Sequence, residues 1–454
     1  MKKLLLGSTA LVVGGVMAAP AMAADPIKIG VGGYYTFYGA AGNIDPTYAL
    51  NGTFTSYKGF SIIQEGEIHF IGQTKLDNGT SVGITVELEG WDPSSATANA
   101  QIDEAFLFAF GDWGRMELGS RDAATYRMYY GTPSAFIGWG AIQHNHNYIN
   151  ASVQANNKGY ARTMATTITP TWQDVNRVNY FTPRFAGLQI GIGYAPKLNA
   201  SATNTPGMIS GPGNGAGICG YNNATNINNC PTADYAWQDL FDVGANYLNK
   251  FGDFTVALYG AFAYASFVPG FQPFAGAANM VTGANLSAWK QWVAGAQFGF
   301  AGFTVGGAVG WDNNGLGGNY YTGVDNDTRF YTAGVMYETG PWQMSAMWAG
   351  FWNTNGNGSS NVTNIATGTQ VQTLSAANAT GNPFSGNSTY FSNNPSTQGL
   401  FGAEVVQKWE VGANYALGPG IKAVGGFMYY NAYGPSNAVV ANSWVIMLGM
   451  DLRF

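Results

Sequence analysis

Trp444-Val445-Ile446-Met447-Leu448-Gly449-Met450-Asp451-Leu452-Arg453-Phe454 sets a large apolar side chain on every even position and ends on a phenylalanine. Successive strand residues point to opposite faces, so Trp444, Ile446, Leu448, Met450, Leu452 and Phe454 share one side while Ser443, Gly449, Asp451 and Arg453 share the other. Such a strand also suits a soluble sandwich. Three further features of the chain point instead to a strand with lipid on one side and water on the other: an export signal, strands that recur in pairs, and little catalytic chemistry.

The N-terminus reads as the export signal. Lys2 and Lys3 precede an apolar run from Leu4 to about Ala19, and Ala21-Met22-Ala23 has the small-x-small form of a cleavage site. Residues 1–23 are therefore expected to be a signal peptide and 24–454 one barrel domain. Removing Lys2 and Lys3 leaves 17 basic against 25 acidic residues, a net charge of −8. That balance argues against a nucleic-acid partner.

Composition narrows the class. Charged residues make up 10% of the chain, where an ordinary soluble domain carries about 25%. Aromatics reach 15% and glycine 64 of 454 residues, yet no stretch after the signal offers the roughly 18 consecutive apolar residues of a membrane helix. The apolar residues are dispersed by alternation, as expected when each strand shows one face to hydrocarbon; in lipid only helices and closed barrels pair every backbone group. Cys219 and Cys230 fall in one loop of about 196–238 and read as a disulfide closing it, with two free thiols as the alternative. Two cysteines do not complete a zinc site, which takes four ligands.

Period-2 segments bounded by Gly, Asn, Asp and Pro predict sixteen strands: 27–38, 61–76, 80–91, 101–110, 114–121, 176–182, 188–195, 239–248, 254–266, 289–300, 303–311, 328–338, 342–352, 404–417, 421–431 and 442–454. Asp77-Asn78-Gly79 is a tight hairpin signal because Asp-Gly and Asn-Gly accept positive φ. Short turns alternate with long loops, so both termini lie on the short-turn side, which faces the periplasm in bacterial outer-membrane barrels. The fold class is thus all-β: a 16-stranded antiparallel transmembrane β-barrel with short periplasmic turns and long extracellular loops. Sixteen strands leave an aqueous channel, whereas eight are filled by their own side chains. The third loop, about 121–175, is long enough to fold inward, and a low-complexity Asn/Ser/Thr/Gly loop spans about 353–403.

Alternation also assigns the walls. Glu65, Glu67 and His69 oppose Gln64, Gly66, Ile68 and Phe70; Glu87 and Glu89 oppose Val86 and Leu88; Arg115 and Glu117 oppose Met116 and Leu118; Lys408 and Glu410 oppose Trp409 and Val411. A charge facing lipid at mid-depth costs roughly 2 to 4 kcal/mol, so the charged sets are expected to line the pore. Tyr34, Tyr38, Trp91, Tyr180, Tyr194, Tyr247, Trp289, Trp342, Tyr415 and Trp444 lie near strand ends and read as an interfacial girdle; plain strand propensity also enriches aromatics.

Four ordered motifs carry a resemblance. Gln64-Glu65-Gly66-Glu67-Ile68-His69-Phe70 is the first, and Leu76-Asp77-Asn78-Gly79 with Val86-Glu87-Leu88-Glu89 the second. The third is Ile102-Asp103-Glu104-Ala105-Phe106 leading into Gly114-Arg115-Met116-Glu117-Leu118-Gly119-Ser120, and the fourth Tyr180-Phe181-Thr182-Pro183-Arg184-Phe185-Ala186-Gly187. Together they resemble the general diffusion porins of Gram-negative bacteria, particularly of alphaproteobacteria. The resemblance implies a homotrimer in outer-membrane lipid and lipopolysaccharide, with the third loop folded in as a constriction. It also implies a terminal Phe454 strand that serves as the assembly signal for the barrel assembly machinery. The loop residues that would form the constriction are Arg121, Asp122, Arg127, Tyr129, Arg162 and Asp174. In that family acids on this loop commonly face a basic wall cluster. Here Asp122 and Asp174 are its only acids, against Arg121, Arg127, Lys158 and Arg162, while Glu65, Glu67, Glu87 and Glu89 sit on the wall. A weak or reversed transverse field is the expectation.

No catalytic residue, cofactor-binding residue or metal site is assigned, and the chain does not read as an enzyme. Gly211 to Gly217 lacks the strand and helix of a nucleotide fingerprint, and no Gly-x-Ser-x-Gly, His-Glu-x-x-His or P-loop occurs. Three histidines leave few general bases. His144 and His146 have a spacing open to metal but no nearby Cys or carboxylate, and His69 reads as a polar residue of the lumen. The expected function is passive diffusion of small hydrophilic solutes and ions through a water-filled pore. The alternatives are a substrate-specific channel that uses the aromatic third loop (Tyr126, Tyr129, Tyr130, Phe136 and Trp139) for sugars or aromatic solutes, and a secreted adhesin or lectin.

Overall fold

Side-chain alternation continues from strand to neighbouring strand until the last pairs with the first. The computed structural model describes residues 26, 28–46, 57–90, 102–136, 175–197, 237–267, 288–313, 328–353, 363–364, 369–370, 404–433 and 439–454. Thirteen strands come first: β1 (Lys28–Pro46), β2 (Tyr57–Lys75), β3 (Ser81–Glu89), β4 (Ile102–Gly111), β5 (Gly114–Arg121), β6 (Val175–Phe181), β7 (Leu188–Lys197), β8 (Trp237–Phe251), β9 (Phe254–Phe267), β10 (Trp289–Phe300), β11 (Phe303–Asp312), β12 (Thr328–Thr339) and β13 (Trp342–Asn353). A two-residue pair, β14 (Thr363–Asn364) and β15 (Thr369–Gln370), stands apart, and β16 (Glu404–Gly418), β17 (Ile421–Tyr433) and β18 (Val439–Arg453) complete the chain. All but β14 and β15 form one closed antiparallel barrel of sixteen strands in sequence order, sealed by β1 against β18. The one described helix is the single turn α1 (Ala124–Arg127) after β5.

At the seam the chain end is part of the ladder. The Gly33 amide donates to the Phe454 carbonyl at 3.0 Å and the Phe454 amide donates back at 3.1 Å. Gly33 has φ +154°, and a Cβ there would meet the Glu67 carbonyl oxygen at 2.2 Å, so three backbones converge where only glycine fits. On β18 Leu448 is 67% exposed and Met447 is 0% exposed, which fixes the even positions outward as the closing stretch predicts.

The barrel strand boundaries agree with the sequence to within about three residues except at the first hairpin, and the short β14–β15 pair falls in the loop expected over about 353–403. The loop expected from 39 to 60 is mostly strand: Gly39 to Ile44 pair with Ile62 to Tyr57 on β2, and with Leu448 to Ser443 on β18. Gly39-Ala40-Ala41-Gly42 lacks the large alternating side chains that mark a strand. Ladder pairing on both flanks, invisible to periodicity, holds it extended. The Asp77-Asn78-Gly79 hairpin is present, with Gly79 at φ +84° and the Thr80 amide donating to Asn78 Oδ1 at 2.9 Å.

Three expected girdle residues point the other way. Tyr34, Tyr38 and Trp289 face inward, because Ile29, Val31 and Phe37 occupy the outer face of β1, and Lys290, Trp292 and Ala294 that of β10. Each ring carries a polar tip that favours an inward partner: Trp289 Nε1 donates to Asp312 Oδ1 at 2.6 Å and the Tyr34 hydroxyl to Glu67 Oε1 at 2.8 Å. An outward aromatic belt does form at the short-turn end, from stacked Phe254 and Phe300, Phe303 with Tyr337, Trp342 with Tyr415, and Trp113 with Tyr180. Tyr194 and Trp444 also face out, while Trp91 lies outside the described residues.

The inside-out assignment predicts an asymmetric response to charge. Leu448→Arg is expected to cost about 2 to 4 kcal/mol in urea unfolding from lipid vesicles, against under about 1 kcal/mol for a charge at the turn-end outer position Phe303.

Candidate functional site: the inner wall and the inward loop

Past β5 the chain turns into the barrel. From Asp122 to Phe136 it crosses the inner wall, bonded to one strand after another. The Asp122 amide donates to Glu104 Oε1 on β4 at 2.8 Å, and Asn179 Nδ2 on β6 donates to the Asp122 carbonyl at 2.8 Å. Thr125 gives its amide and hydroxyl to Asp242 Oδ2 on β8 at 3.1 and 3.2 Å, and its carbonyl accepts from the Tyr259 hydroxyl on β9 at 2.7 Å. Asn246 Nδ2 donates to the Met128 carbonyl at 3.0 Å and Gln297 Nε2 on β10 to the Gly131 carbonyl at 2.8 Å. Thr132 meets Thr332 on β12, and Ser134 donates to Glu410 on β16. The Ala135 amide reaches Ser345 Oγ on β13 at 2.7 Å, and Asn414 Nδ2 on β16 donates to the Ala135 carbonyl at 2.8 Å.

This seat is prepared by the wall. A Cβ on Gly295 would stand 2.1 Å from the Tyr130 carbonyl oxygen, and one on Gly412 would stand 2.3 Å from Phe136 Cβ. Met128 and Phe136 then pack with Phe181, Tyr259, Val293, Ala308, Phe330, Met347, Val424 and Met428 into an apolar cluster inside the barrel. Its anchor is the fully buried pair Arg177 Nη1 to Asp242 Oδ1 at 3.2 Å. Lys408 and Glu410, 2.8 Å apart, form a second buried pair where the described loop ends.

The opposite wall is polar, with partly exposed arginines over the buried carboxylates Glu104 and Glu117. Arg115 Nε lies 2.6 Å from Glu117 Oε1, and Arg127 from the loop meets Glu117 Oε2. Arg121 pairs with Glu104 and lies 3.6 Å from Glu87 Oε1. Each guanidinium also rests on an aromatic ring: Arg115 on Phe108, Arg121 on Phe106 and Arg127 on Phe181, at 4.6, 4.5 and 5.0 Å. Deeper along β2 and β3, Glu65, Glu67, His69 and Glu87 face inward. The Tyr34 hydroxyl reaches both Glu65 (3.3 Å) and Glu67 (2.8 Å).

The residues expected to line the pore therefore divide. Glu65, Glu67, His69, Glu87, Glu89, Arg115 and Glu117 gather on the β2–β5 wall, while Lys408 and Glu410 lie under the loop on the far side. Of the expected constriction residues, Arg121 ends β5, and Asp122, Arg127 and Tyr129 lie on the described inward segment. Arg162, Asp174, Cys219, Cys230, His144 and His146 lie outside the described residues. Sequence reasoning missed the loop's anchors Asn179, Asp242, Asn246, Gln297, Ser345 and Asn414. Their only sequence signal is a polar residue on the inward parity of a strand, such as Arg177 and Asn179 on β6 or Asp242 and Asn246 on β8.

A family model for the Gram-negative porin matches residues 7–434. The chain belongs to the Gram-negative porin family. It is accordingly an outer-membrane diffusion channel. Among solved structures, a form of OmpT from Vibrio cholerae lacking loop L8 is similar at 10% identity and TM-score 0.50, covering 94% of this chain and 99% of that one. The anion-selective porin of Comamonas acidovorans matches at 14% identity and TM-score 0.49, covering 94% and 100%. A variant of the Rh. blastica porin matches at 14% identity and TM-score 0.45, with the same coverage. Comparison with curated proteins returns no match.

In this porin the loop's buried anchor is the point most sensitive to mutation. Asp242→Ala strands Arg177 without its carboxylate, and is expected to cost about 3 to 5 kcal/mol in urea unfolding. The replacement Gly295→Val is expected to dislodge the loop backbone and alter single-channel conductance while leaving a folded, heat-resistant barrel.

Proposed function

We propose that solutes pass between the packed loop and the β2–β5 wall, and that this passage favours cations over anions. One observation carries the reading: Arg127 of the described loop segment and Arg121 at the end of β5 are already taken by wall carboxylates, Arg127 by Glu117 and Arg121 by Glu104. Glu65, Glu67, Glu87 and Glu89 add further negative charge to the same wall. The transverse field is then reversed relative to a pore with acids on the loop and bases on the wall. Glu65, Glu67, His69, Glu87, Glu89, Arg115 and Glu117 act as pore-lining residues, and Arg121, Asp122, Arg127 and Tyr129 shape the constriction. Discrimination comes from aperture and charge alone, with no reaction and no cofactor.

Tyr129 stands edge-on to Tyr259 at 5.3 Å, and Phe136 is buried in the apolar cluster. Aromatic rings committed to packing support general diffusion over a sugar-sliding surface. Family membership supports a homotrimer set in outer-membrane lipid and lipopolysaccharide. It likewise supports insertion by the barrel assembly machinery through the terminal Phe454, with the short turns in the periplasm.

Reversal potentials across a KCl gradient in planar bilayers test the charge reading, and the trimer is read from conductance steps in threes. The wild-type channel is expected to prefer K⁺, and the triple change Glu67→Gln, Glu89→Gln, Asp103→Asn to shift the preference toward Cl⁻. An anion-selective wild type, or a triple variant with an unmoved reversal potential, overturns the proposal.

A further inference from the structure

The ladder between β2 and β3 sets His69 directly across from Glu87 and Glu67 directly across from Glu89. Like charges placed opposite each other across a ladder are destabilising, yet a third carboxylate joins them. A register shift between Val86 and Leu88 brings Asp103 of β4 to the same place. One donor atom each from Glu67, His69 and Glu87 falls within 4.8 Å of the other two, and Glu67, Glu89 and Asp103 meet the same limit.

The first of these sets is more than a cluster of acids, because an imidazole nitrogen stands at its centre. His69 Nε2 is 2.8 Å from Glu67 Oε2 and 3.9 Å from Glu87 Oε2. Tetrahedral ligands about 2.0 to 2.1 Å from a zinc ion stand roughly 3.3 Å apart, so the two spacings straddle the required one. Each carboxylate has one oxygen committed elsewhere and the other turned to the imidazole. Glu67 Oε1 accepts from the Tyr34 hydroxyl at 2.8 Å, and Glu87 Oε1 lies 3.6 Å from Arg121 Nη1. The Tyr34 ring also meets the His69 ring edge-on, at 6.4 Å and 81°. Partners of this kind hold ligands in place at metal centres. The side chains of His69, Glu67 and Glu87 are 25%, 15% and 12% exposed, set into the wall yet open to the lumen.

We propose that Glu67, His69 and Glu87 form a binding site for a borderline divalent transition-metal ion such as Zn²⁺, with Glu89 and Asp103 beside it as a carboxylate flank. Imidazole with carboxylates suits such ions, whereas Ca²⁺ and Mg²⁺ take oxygen ligands and have no use for His69. An ion held there also places positive charge on the wall that attracts permeating cations, so site occupancy lowers cation conductance.

The test titrates the full-length refolded protein in detergent with ZnCl₂ and, separately, CaCl₂ by calorimetry. One Zn²⁺ per chain is expected, bound at least about tenfold more tightly than Ca²⁺. The substitution His69→Gln is expected to weaken Zn²⁺ at least about tenfold and leave Ca²⁺ unchanged, and Tyr34→Phe to weaken Zn²⁺ about 10- to 100-fold through the freed Glu67 carboxylate. Heat-resistant migration establishes that each variant is folded. X-ray absorption on the zinc-loaded wild type needs no variant, and should show an imidazole nitrogen in the first shell. Zn²⁺ bound no more tightly than Ca²⁺, unchanged Zn²⁺ affinity in His69→Gln, or an all-oxygen shell overturns the assignment. Binding in detergent is independent of ion preference, so failure here leaves the cation-selective reading standing, and an anion-selective wild type leaves the zinc site standing.

Discussion

Hydrocarbon offers no partner to an amide or a carbonyl, and that single constraint organises this porin. Every strand must find a neighbour on both sides, so the sheet has to close. The closure rests on the seam between β1 and β18, where the Phe454 backbone trades hydrogen bonds with Gly33 and Glu67 crowds in from β2. Gly33 is the point where the third backbone can approach. Once the ring is sealed, the outer face of the strands is free to be largely apolar, and the described carboxylate and guanidinium clusters lie within.

Inside, two different solutions to burial share one barrel. Along β6 to β17 the inward loop packs as a segment of protein core on an apolar cluster and on buried polar groups that include the Arg177–Asp242 and Lys408–Glu410 pairs, with its backbone groups paired to Asp, Asn, Gln, Ser and Tyr side chains of the strands. Along β2 to β5 the wall keeps its charges, arranged as arginines lying on phenylalanine rings with carboxylates at their tips. The described segment of the loop covers the first wall and touches the second through Asp122 and Arg127. Permeation chemistry and packing chemistry are thereby separated by position around the ring.

Much of this was legible in the sequence because the period of two is unforgiving: a one-residue slip would turn every Glu of β2 and β3 into lipid. Strand number, strand pairing and the inward acids follow from it. Gly39 to Gly42 escaped because small residues carry no period. Tyr34, Tyr38 and Trp289 were misassigned for a related reason, since an aromatic near a strand end suits either face until its parity with Ile29, Val31 or Trp292 is counted. The loop's path was illegible in principle, because its anchors are one or two residues on each of eight strands, separated by up to 279 positions from their partners. The meeting of His69 with Glu87 depends on register between strands, which the hairpin signal at Asn78-Gly79 contains but which pays no visible dividend until side chains are placed.

The run from Asp122 to Phe136 is bonded to strands on both sides of the lumen, from Glu104 on β4 to Asn414 on β16. It therefore works as a crossbrace. A sheet closed on itself resists stretching along its ladders but yields readily to flattening, and a brace fixed to both sides makes the cross-section rigid against lateral pressure from the bilayer. Swinging the segment aside as a hinged gate would rupture its bonds on eight strands together, so this stretch is a fixed part of the lumen, set when the chain folds.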